Sequence, residues 1–472
     1  MAQAEVGLIG LGVMGANLAL NIAENGFPIA VYNRTTEKTE AFYAEAGDLQ
    51  DKIVPCESFE ALVAAIRPPR PIIIMVKAGD PVDQQIAALK ELLEANDIII
   101  DAGNANFRDT QRRFDDLKDS GLTFIGMGVS GGEEGARHGP SIMVGGTPES
   151  YDRVSEMLDA ISAKYKGQPC SAYLGTDGAG HFVKTIHNGI EYADMQMIAE
   201  VYGVLRDGVG MTAPEIGDVF ARWDNGRLDS YLTEITAKVL KATDPETGQP
   251  VPDIILDRAG QKGTGRWSVI EAQQMGVPAT VIEAAVAARS LSAAKAEREA
   301  AEDVYGAGRG ALDLLDRDEL IDDLELALFA GKISAYAQGF AVMAAASDEF
   351  GWNLPMDTIA KIWRAGCIIR SQFLDDIAAS FEKDRDLSNL LMAPDFVAMM
   401  KSAHPSLRHI VSTAVKAGIA VPALSAALAY FDGYRQGRGT ANLIQAQRDF
   451  FGAHSFERID AEGAHHGPWG LD

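Results

Sequence analysis

The feature that most constrains the fold is a glycine motif between two short apolar strands near the N-terminus. The sequence predicts a strand at Val6–Ile9, then Gly10-Leu-Gly12-Val-Met-Gly15, a helix over residues 16–25 and a second strand at Ile29–Tyr32. In this strand–turn–helix–strand context, G-x-G-x-x-G is the fingerprint of a dinucleotide-binding unit. The helix N-terminus offers free N–H groups and partial positive charge to a pyrophosphate. We therefore predict a Rossmann-type domain that binds a dinucleotide.

The residues after the second strand indicate which dinucleotide is bound. NAD sites usually carry Asp or Glu there, which accepts hydrogen bonds from the ribose, but this chain reads Asn33-Arg34-Thr35. A carboxylate would repel a 2′-phosphate, whereas an arginine between an amide and a hydroxyl would bind it. The alternative is that Arg34 is an ordinary solvated side chain. We prefer NADP to NAD.

Two further apolar runs, 71–76 and 97–101, predict parallel strands covered on both faces. Each ends in a polar loop, Lys77-Ala-Gly-Asp80 and Ala102-Gly-Asn104-Ala-Asn106. Ligands on such folds bind beyond the carboxyl ends of the strands. Asn104 is therefore placed to contact the nicotinamide or the substrate, although a local Asx turn would explain it equally well.

Residues 126–139 follow a predicted strand at 123–125 and are rich in glycine and short polar residues, which predicts irregular structure. A flexible linker is one interpretation. The apolar run at 141–144 follows directly and indicates instead a loop held at both ends. Such a loop presents backbone N–H groups and the Ser130 hydroxyl to an oxyanion, for example a carboxylate. A helix over 148–162 and a last strand at 171–174 complete the expected domain.

From residue 178 onward the pattern is helical, and the first helix carries the densest set of chemically capable side chains. At about 100° per residue, Lys184, His187, Asn188 and Glu191 share one face. An exposed polar network would produce the same spacing as an acid–base surface. The opposite face is apolar and glycines at the helix start permit close approach, and both features favour a functional face.

A glycine-rich segment over 257–267 interrupts the later helices and resembles a phosphate-cradling loop, with Lys262 for charge and Thr264 for a hydroxyl. It lacks the G-x-x-x-x-G-K-[ST] pattern, so it does not support nucleotide hydrolysis. Arg289 lies in an otherwise apolar helix, where an arginine is either paired or faces a ligand. After about residue 434 the chain is mixed and then rich in Gly, Pro and His. We expect this tail to be frayed or docked on another subunit, with His465-His466 in a mobile tail rather than a metal site.

Composition limits the partners. The net charge of −25 argues against a nucleic-acid surface and requires a local basic cluster for any anionic ligand. The three cysteines form no C-x-x-C, which indicates a reducing compartment. We find no secretory signal and no run of roughly 18–20 apolar residues, so we expect a cytoplasmic protein without a membrane span.

Taken together, these motifs closely resemble the decarboxylating 6-phosphogluconate dehydrogenases, over nearly the full length and in the family's order. The resemblance rests on Gly10–Gly15 with Asn33-Arg34-Thr35, Ser130-Gly-Gly-Glu-Glu-Gly-Ala, His181-Phe-Val-Lys184 with His187-Asn188-Gly-Ile-Glu191-Tyr192, Gly260-Gln-Lys262-Gly-Thr264-Gly, and Arg448 with Gly-Ala-His454. Only the residues after about Ile459 depart from the family's tail. The resemblance implies an α/β Rossmann-type NADP-binding domain at 1–177, a large all-α substrate and dimerisation domain at 178–434, and a short C-terminal tail at 435–472 that reaches the partner subunit.

The resemblance also implies a reaction and residue roles. The reaction is the oxidative decarboxylation of 6-phospho-D-gluconate to D-ribulose 5-phosphate and CO2 with reduction of NADP, without a metal, in the oxidative branch of the pentose phosphate pathway. Lys184 is implied as the base at the C3 hydroxyl and Glu191 as the acid that protonates C1. The implied substrate contacts are Asn104, Ser130, Gly131, Gly132, His187, Asn188, Tyr192, Lys262, Thr264 and Arg289, with Arg448 and His454 supplied by the partner of a homodimer. The implied cofactor contacts are Gly10, Gly12, Val13, Met14, Gly15, Asn33, Arg34, Thr35, Val76, Lys77, Ala78 and Asn104. The rival interpretations are a dehydrogenase for a smaller β-hydroxy acid and a non-catalytic NADP sensor.

Overall fold

The computed structural model describes residues 4–312 and 316–470. Its N-terminal part is built on an eight-stranded sheet whose strands are short and almost wholly buried. The strands of this sheet are β1 (Val6–Ile9), β2 (Ile29–Tyr32), β3 (Ile53–Cys56), β4 (Pro71–Ile74), β5 (Ile98–Asp101), β6 (Thr123–Val129), β7 (Ile142–Gly145) and β10 (Ser171–Gly175). Strands β8 (Lys164–Tyr165) and β9 (Gln168–Pro169) pair with each other in a separate sheet. The expected Rossmann-type domain is confirmed.

The sheet has the order β10-β7-β6-β5-β4-β1-β2-β3. Strands β1 to β6 are parallel and follow the doubly-wound order 3-2-1-4-5-6. The order reverses between β1 and β4, so the loops after these two strands meet at one edge. This switch point is where such sheets hold a dinucleotide.

The helices of the first half are α1 (Val13–Glu24), α2 (Thr36–Glu45), α3 (Phe59–Ala65), α4 (Asp80–Lys90), α5 (Phe107–Leu117), α6 (Gly132–His138), α7 (Pro148–Asp152), α8 (Ser155–Ile161), α9 (Ala179–Gly203) and α10 (Ala213–Trp223). The others are α11 (Tyr231–Lys241), α12 (Val251–Ile254), α13 (Thr264–Gln274), α14 (Thr280–Ala293), α15 (Lys295–Tyr305), α16 (Arg317–Phe350), α17 (Met356–Ile362), α18 (Phe373–Lys383), α19 (Pro394–Lys416), α20 (Pro422–Tyr434) and α21 (Ala441–Gly452). Of the helices between the strands, only those at α1 and at α7–α8 were predicted, whereas helical structure was expected throughout the chain from residue 178. Two short strands, β11 (Phe456–Glu457) and β12 (Ala464–His465), pair near the end.

The prediction of irregular structure over 126–139 was wrong. Strand β6 runs on to Val129, pairs antiparallel with β7, and is followed by helix α6. The single helix predicted over 148–162 is also two helices, α7 and α8. Glycine normally weakens a strand, but here the glycines of β6 lie where helix α9 approaches the sheet, so tertiary packing outweighs the local preference.

Helix α9 is the central element of the molecule, because it leaves the sheet at β10 and packs against both β6 and the helices α13, α14 and α16. Its neighbour α16 has 34 residues, and by length and composition alone it is apolar enough to cross a membrane. Within the described chain, however, 89% of its most apolar window is buried inside the protein. That burial is typical of a core helix.

The C-terminal segment is folded around one carboxylate. Asp449 of α21 is 3% exposed and accepts hydrogen bonds from Ser455 N, Gly467 N and Trp469 Nε1, at 2.9, 2.9 and 2.7 Å. The His466 ring lies 2.6 Å from the same carboxylate. Because these contacts join α21 to residues up to 20 positions later, the tail forms a compact unit of its own.

Candidate active site

Two glycines of the turn after β1 have different surroundings: Gly10 is packed against the neighbouring loop, and Gly12 borders open space. Gly10 has φ +102°, and a Cβ there would collide with the Met75 carbonyl oxygen after β4. At Gly12, by contrast, a Cβ would meet no described protein atom within 4 Å. Protein packing therefore explains Gly10 but not Gly12. The absence of a side chain at Gly12 fits the close approach of a pyrophosphate to the backbone.

Asn33 ties the glycine turn to the end of β2. Its Oδ1 accepts from Leu11 N at 3.1 Å, and its Nδ2 donates to Thr35 O at 3.1 Å. Arg34 and Thr35 are exposed beside it, and Arg34 makes no hydrogen bond or ion pair with any described residue. An unpaired guanidinium at this edge is what a 2′-phosphate requires.

The other predicted cofactor residues lie on the loops around this switch point. Val13, which is 61% exposed, and Met14 begin α1, while Val76, Lys77 and Ala78 follow β4. Asn104 follows β5 and is exposed, with none of its side-chain atoms bonded to a described residue. The alternative of an Asx turn at Asn104 therefore finds no support in the hydrogen bonds. It is Asn106, two residues on, that caps α5 by accepting from Arg108 N at 3.0 Å.

A buried arginine that the sequence did not single out joins the two cofactor-side loops. Arg113 is 2% exposed and donates to Asp101 Oδ2, at the end of β5, and to Gly79 O, before α4, both at 3.1 Å. The Asp101 Oδ1 accepts from Gly103 N at 3.1 Å. These bonds fix the position of the loop that carries Lys77 relative to the loop that carries Asn104.

Helix α9 lies unusually close to the sheet at Gly128 of β6. A Cβ on Gly128 would come within 2.6 Å of Lys184 Cβ, and a Cβ on Gly180 would come within 2.6 Å of the Gly126 carbonyl oxygen. Real Cβ atoms do not approach so closely, so both positions demand glycine. The close approach brings Lys184 beside Ser130, at the end of β6.

Four side chains then close a ring of hydrogen bonds. Lys184 Nζ donates to Ser130 Oγ at 3.1 Å and to Asn188 Oδ1 at 2.8 Å. His187 Nε2 lies 3.3 Å from Ser130 Oγ, and His187 Nδ1 lies 3.1 Å from Asn188 Oδ1. With the Asn188 oxygen as acceptor, His187 carries its proton on Nδ1 and accepts from the Ser130 hydroxyl through Nε2. The predicted face is therefore buried and ordered rather than solvated.

Burial sets the protonation of this ring. The Lys184 side chain is 6% exposed and its pKa is lowered by burial, against the opposing pull of Glu191. The His187 ring has no exposed surface, and burial together with the Lys184 charge lowers its pKa well below the usual value. A lysine of lowered pKa can act as a base, whereas a histidine held neutral can only orient its neighbours.

Glu191 lies one turn beyond His187, with its Oε2 3.9 Å from His187 Nδ1. Burial raises the pKa of Glu191, and the neighbouring carboxylate Asp194 adds to the effect, while Lys184 and Arg289 oppose it. Asp194 is itself buried and pairs with Lys332 of α16 at 2.9 Å. A carboxyl group of raised pKa can hold a proton that it later donates.

Two of the predicted phosphate-binding residues, Thr264 and Arg289, contact helix α9 directly. Thr264 begins α13 and its Oγ1 accepts from Asn188 Nδ2 at 3.1 Å. The Arg289 guanidinium lies 3.4 Å above the centroid of the Tyr192 ring and donates to Gly260 O at 3.4 Å. Lys262 is exposed on the loop between them, without a described hydrogen bond or ion pair. Arg289 is thus both stacked and directed toward the loop.

The remaining site residues are placed less directly. Gly131 and Gly132 lie at the start of α6, whose first N–H groups have no partner within the helix. Arg448 bonds to Gln445 at 2.9 Å and His454 packs on Phe451, both within the tail. Among the described contacts of this single chain, none joins Arg448 or His454 to the α9 face.

Sequence reasoning missed several residues that support the site. The Trp363 ring meets the His187 ring edge-on, with centroids 5.3 Å apart, and nothing in the sequence indicated that contact. Asp194 lies three positions after Glu191, so extending the i, i+3 pattern by one turn would have found it. Arg113 carried no local signal, because its partners lie on other strands and loops.

A dinucleotide-binding turn on a doubly-wound sheet, together with a buried lysine and amide on helix α9, is typical of a nicotinamide-dependent dehydrogenase. Models of the 6-phosphogluconate dehydrogenase family match both halves of the chain. The NAD binding domain of 6-phosphogluconate dehydrogenase matches residues 5–175, and the C-terminal domain of 6-phosphogluconate dehydrogenase matches residues 180–469. The chain belongs to the 6-phosphogluconate dehydrogenase family. Because the second match reaches residue 469, the expected departure from the family after Ile459 was wrong.

Individual relatives agree over the full length. The chain is 50% identical to the NADP(+)-dependent, decarboxylating 6-phosphogluconate dehydrogenase of Bacillus subtilis, covering 99% of this chain and 100% of that protein. It is 47% identical to the NAD(+)-dependent enzyme of the same organism, covering 98% and 99%. The structure superimposes on Plasmodium falciparum 6-phosphogluconate dehydrogenase, solved as apo form and with NADP+ or 6-phosphogluconate, with a TM-score of 0.95 at 41% identity, covering 98% and 100%. Both NADP(+)-dependent and NAD(+)-dependent enzymes occur among these relatives. The preference of this chain for NADP is therefore argued from residues 33–35.

Proposed function

We propose that this protein oxidises and decarboxylates 6-phospho-D-gluconate to D-ribulose 5-phosphate and CO2, with NADP as the cofactor. The observation that carries the proposal is the buried α9 face, where Lys184 and Glu191 stand about two turns apart. Relatives similar over their whole length are decarboxylating 6-phosphogluconate dehydrogenases, which supports the same chemistry here.

The residues divide the reaction between them. Bound NADP supplies the hydride acceptor. Lys184, whose pKa is lowered by burial, accepts the proton of the C3 hydroxyl as the hydride leaves C3. The ketone formed is β to the carboxylate, so the carbon–carbon bond electrons flow toward its oxygen as CO2 departs. Protonated Lys184 donates to that oxygen, and Glu191 then delivers a proton to C1 of the enediol.

The substrate is oriented by the surroundings of this pair. Ser130, Gly131 and Gly132 hold the carboxylate, while His187, Asn188 and Asn104 position the sugar hydroxyls. Tyr192, Lys262, Thr264 and Arg289 form a phosphate clamp, the local basic cluster that a chain of net charge −25 needs for an anionic ligand. Support comes from Thr264 and Arg289, which the fold already joins to Asn188 and Tyr192.

Turnover tests the proposal directly. Protein mixed with NADP and 6-phosphogluconate should produce NADPH absorbance and CO2 in equal amounts. Adding a metal chelator should leave the rate unchanged, because none of these steps uses a metal. If neither product forms in any buffer, the proposed function is wrong and an NADP sensor is favoured.

Replacing Arg34 with Ala should weaken NADP binding by about 1.5–3 kcal/mol, the range for a hydrogen bond to a charged group, and change NAD binding little. The reason is that the exposed Arg34 has no described protein partner and only NADP carries a 2′-phosphate. Dissociation constants for both dinucleotides measure the effect. Arg67→Ala, which removes the ion pair with Glu5 just before β1, is the control. An equal loss for both dinucleotides would remove Arg34 from 2′-phosphate recognition.

Replacing Lys262 with Met should raise the KM for 6-phosphogluconate by about ten- to a hundredfold, with a smaller change in kcat, because a phosphate contact far from the reacting carbons binds ground and transition states alike. Initial rates over a range of substrate concentrations measure this. Lys238→Met, which removes an exposed lysine paired with Glu234, is the control. Unchanged kinetics would contradict the phosphate clamp and favour a smaller β-hydroxy acid as substrate.

We further propose a homodimer in which Arg448 and His454 complete the neighbouring site. Support comes from exposed apolar side chains on both candidate surfaces: Leu256 and Leu291 in the large domain are 56% and 63% exposed, and Leu443 and Phe451 in the tail are 62% and 72% exposed. Exposed apolar side chains of this size are what a subunit contact would cover. The domain limits 1–177, 178–434 and 435–472 belong to the same proposal.

Mixing two inactive variants should restore activity if the site is shared. In a mixed dimer of Lys184→Met and Arg448→Ala chains, one site receives both defects and the other receives neither. Random exchange of subunits then restores about a quarter of wild-type activity, since half the dimers are mixed and each has one intact site. Rates after denaturation and refolding together measure this. No recovery beyond that of the separately refolded variants would contradict the shared site.

We also propose that the protein is cytoplasmic. We propose that its reaction belongs to the oxidative branch of the pentose phosphate pathway and to gluconate utilization. The three cysteines are buried and unpaired, which is typical of a reducing compartment.

A further inference from the structure

An ion pair connects the cofactor half of the protein to the helix that carries the phosphate loop. Arg108, the second residue of α5, donates from Nε to Glu271 Oε1 at 3.0 Å and from Nη2 to Glu271 Oε2 at 2.6 Å. A third bond runs from Arg108 Nη2 to Gln274 Oε1 at 2.8 Å. Glu271 and Gln274 belong to α13, so both partners lie on the same helix of the large domain.

Each residue of this ion pair follows predicted site residues along the chain: Arg108 on the cofactor side and Glu271 on the substrate side. On the cofactor side, Arg108 follows Asn106, the cap of α5, and the exposed Asn104 is two residues earlier. On the substrate side, Thr264 begins α13 and bonds to Asn188, and Lys262 is two residues before it. A shift of α13 relative to α5 therefore changes the distance between Asn104 and the phosphate loop.

The burial and geometry of the Arg108–Glu271 ion pair restrict relative motion of helices α5 and α13. The Glu271 side chain is only 4% exposed, and a buried carboxylate is costly unless it is paired and hydrogen-bonded. The two parallel N–H···O bonds of an arginine–carboxylate fork fix orientation as well as distance. The Arg108 guanidinium also lies 5.0 Å from the Phe107 ring centroid and 5.9 Å from that of Phe350, which limits its motion.

We infer that Arg108 and Glu271 are positioning residues, which set the spacing between the nicotinamide side and the phosphate side of the active site. The inference rests on the proposed function, because it assumes that the substrate phosphate is bound near Lys262 and Thr264. Neither side chain touches the reacting atoms. Their effect on turnover passes through the placement of α13.

A double-mutant cycle tests the inference with Arg108→Met, Glu271→Gln and the double variant. Each single variant should raise the KM for 6-phosphogluconate by about tenfold, within the range of coupling between residues in contact. The KM of the double variant should not exceed the higher of the two single-variant values, because either single change already breaks the ion pair. The dissociation constant for NADP should stay within about twofold, since the glycine turn and residues 33–35 are untouched.

Arg112→Met is the matched control. Arg112 lies on the same helix, half exposed like Arg108, but it pairs with Asp83 of α4 inside the cofactor half, at 2.9 Å. This variant should keep the wild-type KM even if its melting temperature falls.

Three results would count against these assignments. Lower melting temperatures of the Arg108 and Glu271 variants with unchanged KM would overturn the positioning role, as would fully additive losses in the double variant. If the wild-type protein itself fails to turn over 6-phosphogluconate with NADP, the proposed function fails and the inference fails with it. An active wild type with unaltered variants overturns the inference alone.

Discussion

Replacing Lys184 with Met is expected to lower kcat by about 10²–10⁴-fold or more, the contribution of a positioned general base. Lys184 Nζ is the only group in the ring with Ser130, His187 and Asn188 whose pKa shift suits a base: burial lowers its pKa, while His187 Nε2 is occupied by the hydrogen bond that it accepts from the Ser130 hydroxyl. The NADP dissociation constant should remain within about twofold, because Lys184 lies on α9 and not on the glycine turn. Stopped-flow or steady-state NADPH formation measures the loss.

Lys184→Arg separates base catalysis from simple charge. An arginine keeps the positive charge and the hydrogen-bond donors but cannot be deprotonated in a protein. It should therefore be nearly as inactive as the Met variant. Lys164→Met is the control, because Lys164 also has a pKa lowered by burial but lies on the short strand β8. Near wild-type activity of Lys184→Arg would mean that Lys184 acts only through its charge.

The melting temperature offers a second readout of the same residue. The folded pKa of Lys184 is depressed, so the unfolded chain binds its proton more tightly and the fold loses stability below the unfolded pKa. Met of similar length carries no charge to desolvate. The melting temperature of the Lys184→Met variant at neutral pH is therefore expected to equal or exceed that of the wild type. Replacing a buried functional charge commonly stabilises a protein in this way. A large fall would indicate that Lys184 has a structural role.

The parts of the molecule that the sequence predicted are those with local signals. The glycine turn, the strands β1 and β2 and the long helix α9 depend on patterns within about 30 residues, and each was found within a few residues of its true ends. The polar face of α9 was also readable, because helical spacing alone places Lys184 beside Asn188. What spacing did not decide was whether this face is solvated or buried. That depends on β6, which is distant in sequence.

The error over residues 126–139 has the same origin. Glycines read as loop-forming because they favour no regular element, but Gly128 is required by the Cβ of Lys184, 56 positions later. The supports of the site are likewise non-local: Arg113 bonds to Asp101 and Gly79, and Trp363 packs on His187. A single sequence shows a residue's type and its neighbours along the chain. These contacts arise only when separate elements pack.

Replacing Glu191 with Gln is expected to lower overall turnover by about 10²–10⁴-fold, because the last step needs an acid at C1. Glu191 is the carboxyl group of the α9 face, and its pKa is raised by burial and by Asp194. Substrate should still bind, since glutamine keeps the size and polarity. The pH dependence follows from the signs: kcat falls at low pH as Lys184 becomes protonated, and at high pH as Glu191 loses its proton. Only the Glu191 limb should vanish from the residual activity of the Gln variant.

Exchange at C1 isolates this step from oxidation and decarboxylation. Wild-type protein incubated with ribulose 5-phosphate in heavy water should introduce deuterium at C1, measured by NMR, and Glu191→Gln should do so far more slowly. Glu200→Gln is the matched control: it is a buried carboxyl on the same helix, with a pKa raised to about 7 by burial, but its oxygens accept from Ala423 N and Leu424 N. That change should alter stability while exchange persists. Equal exchange rates for wild type and Glu191→Gln would assign the C1 proton to another group, because no step before enediol protonation contributes to this measurement.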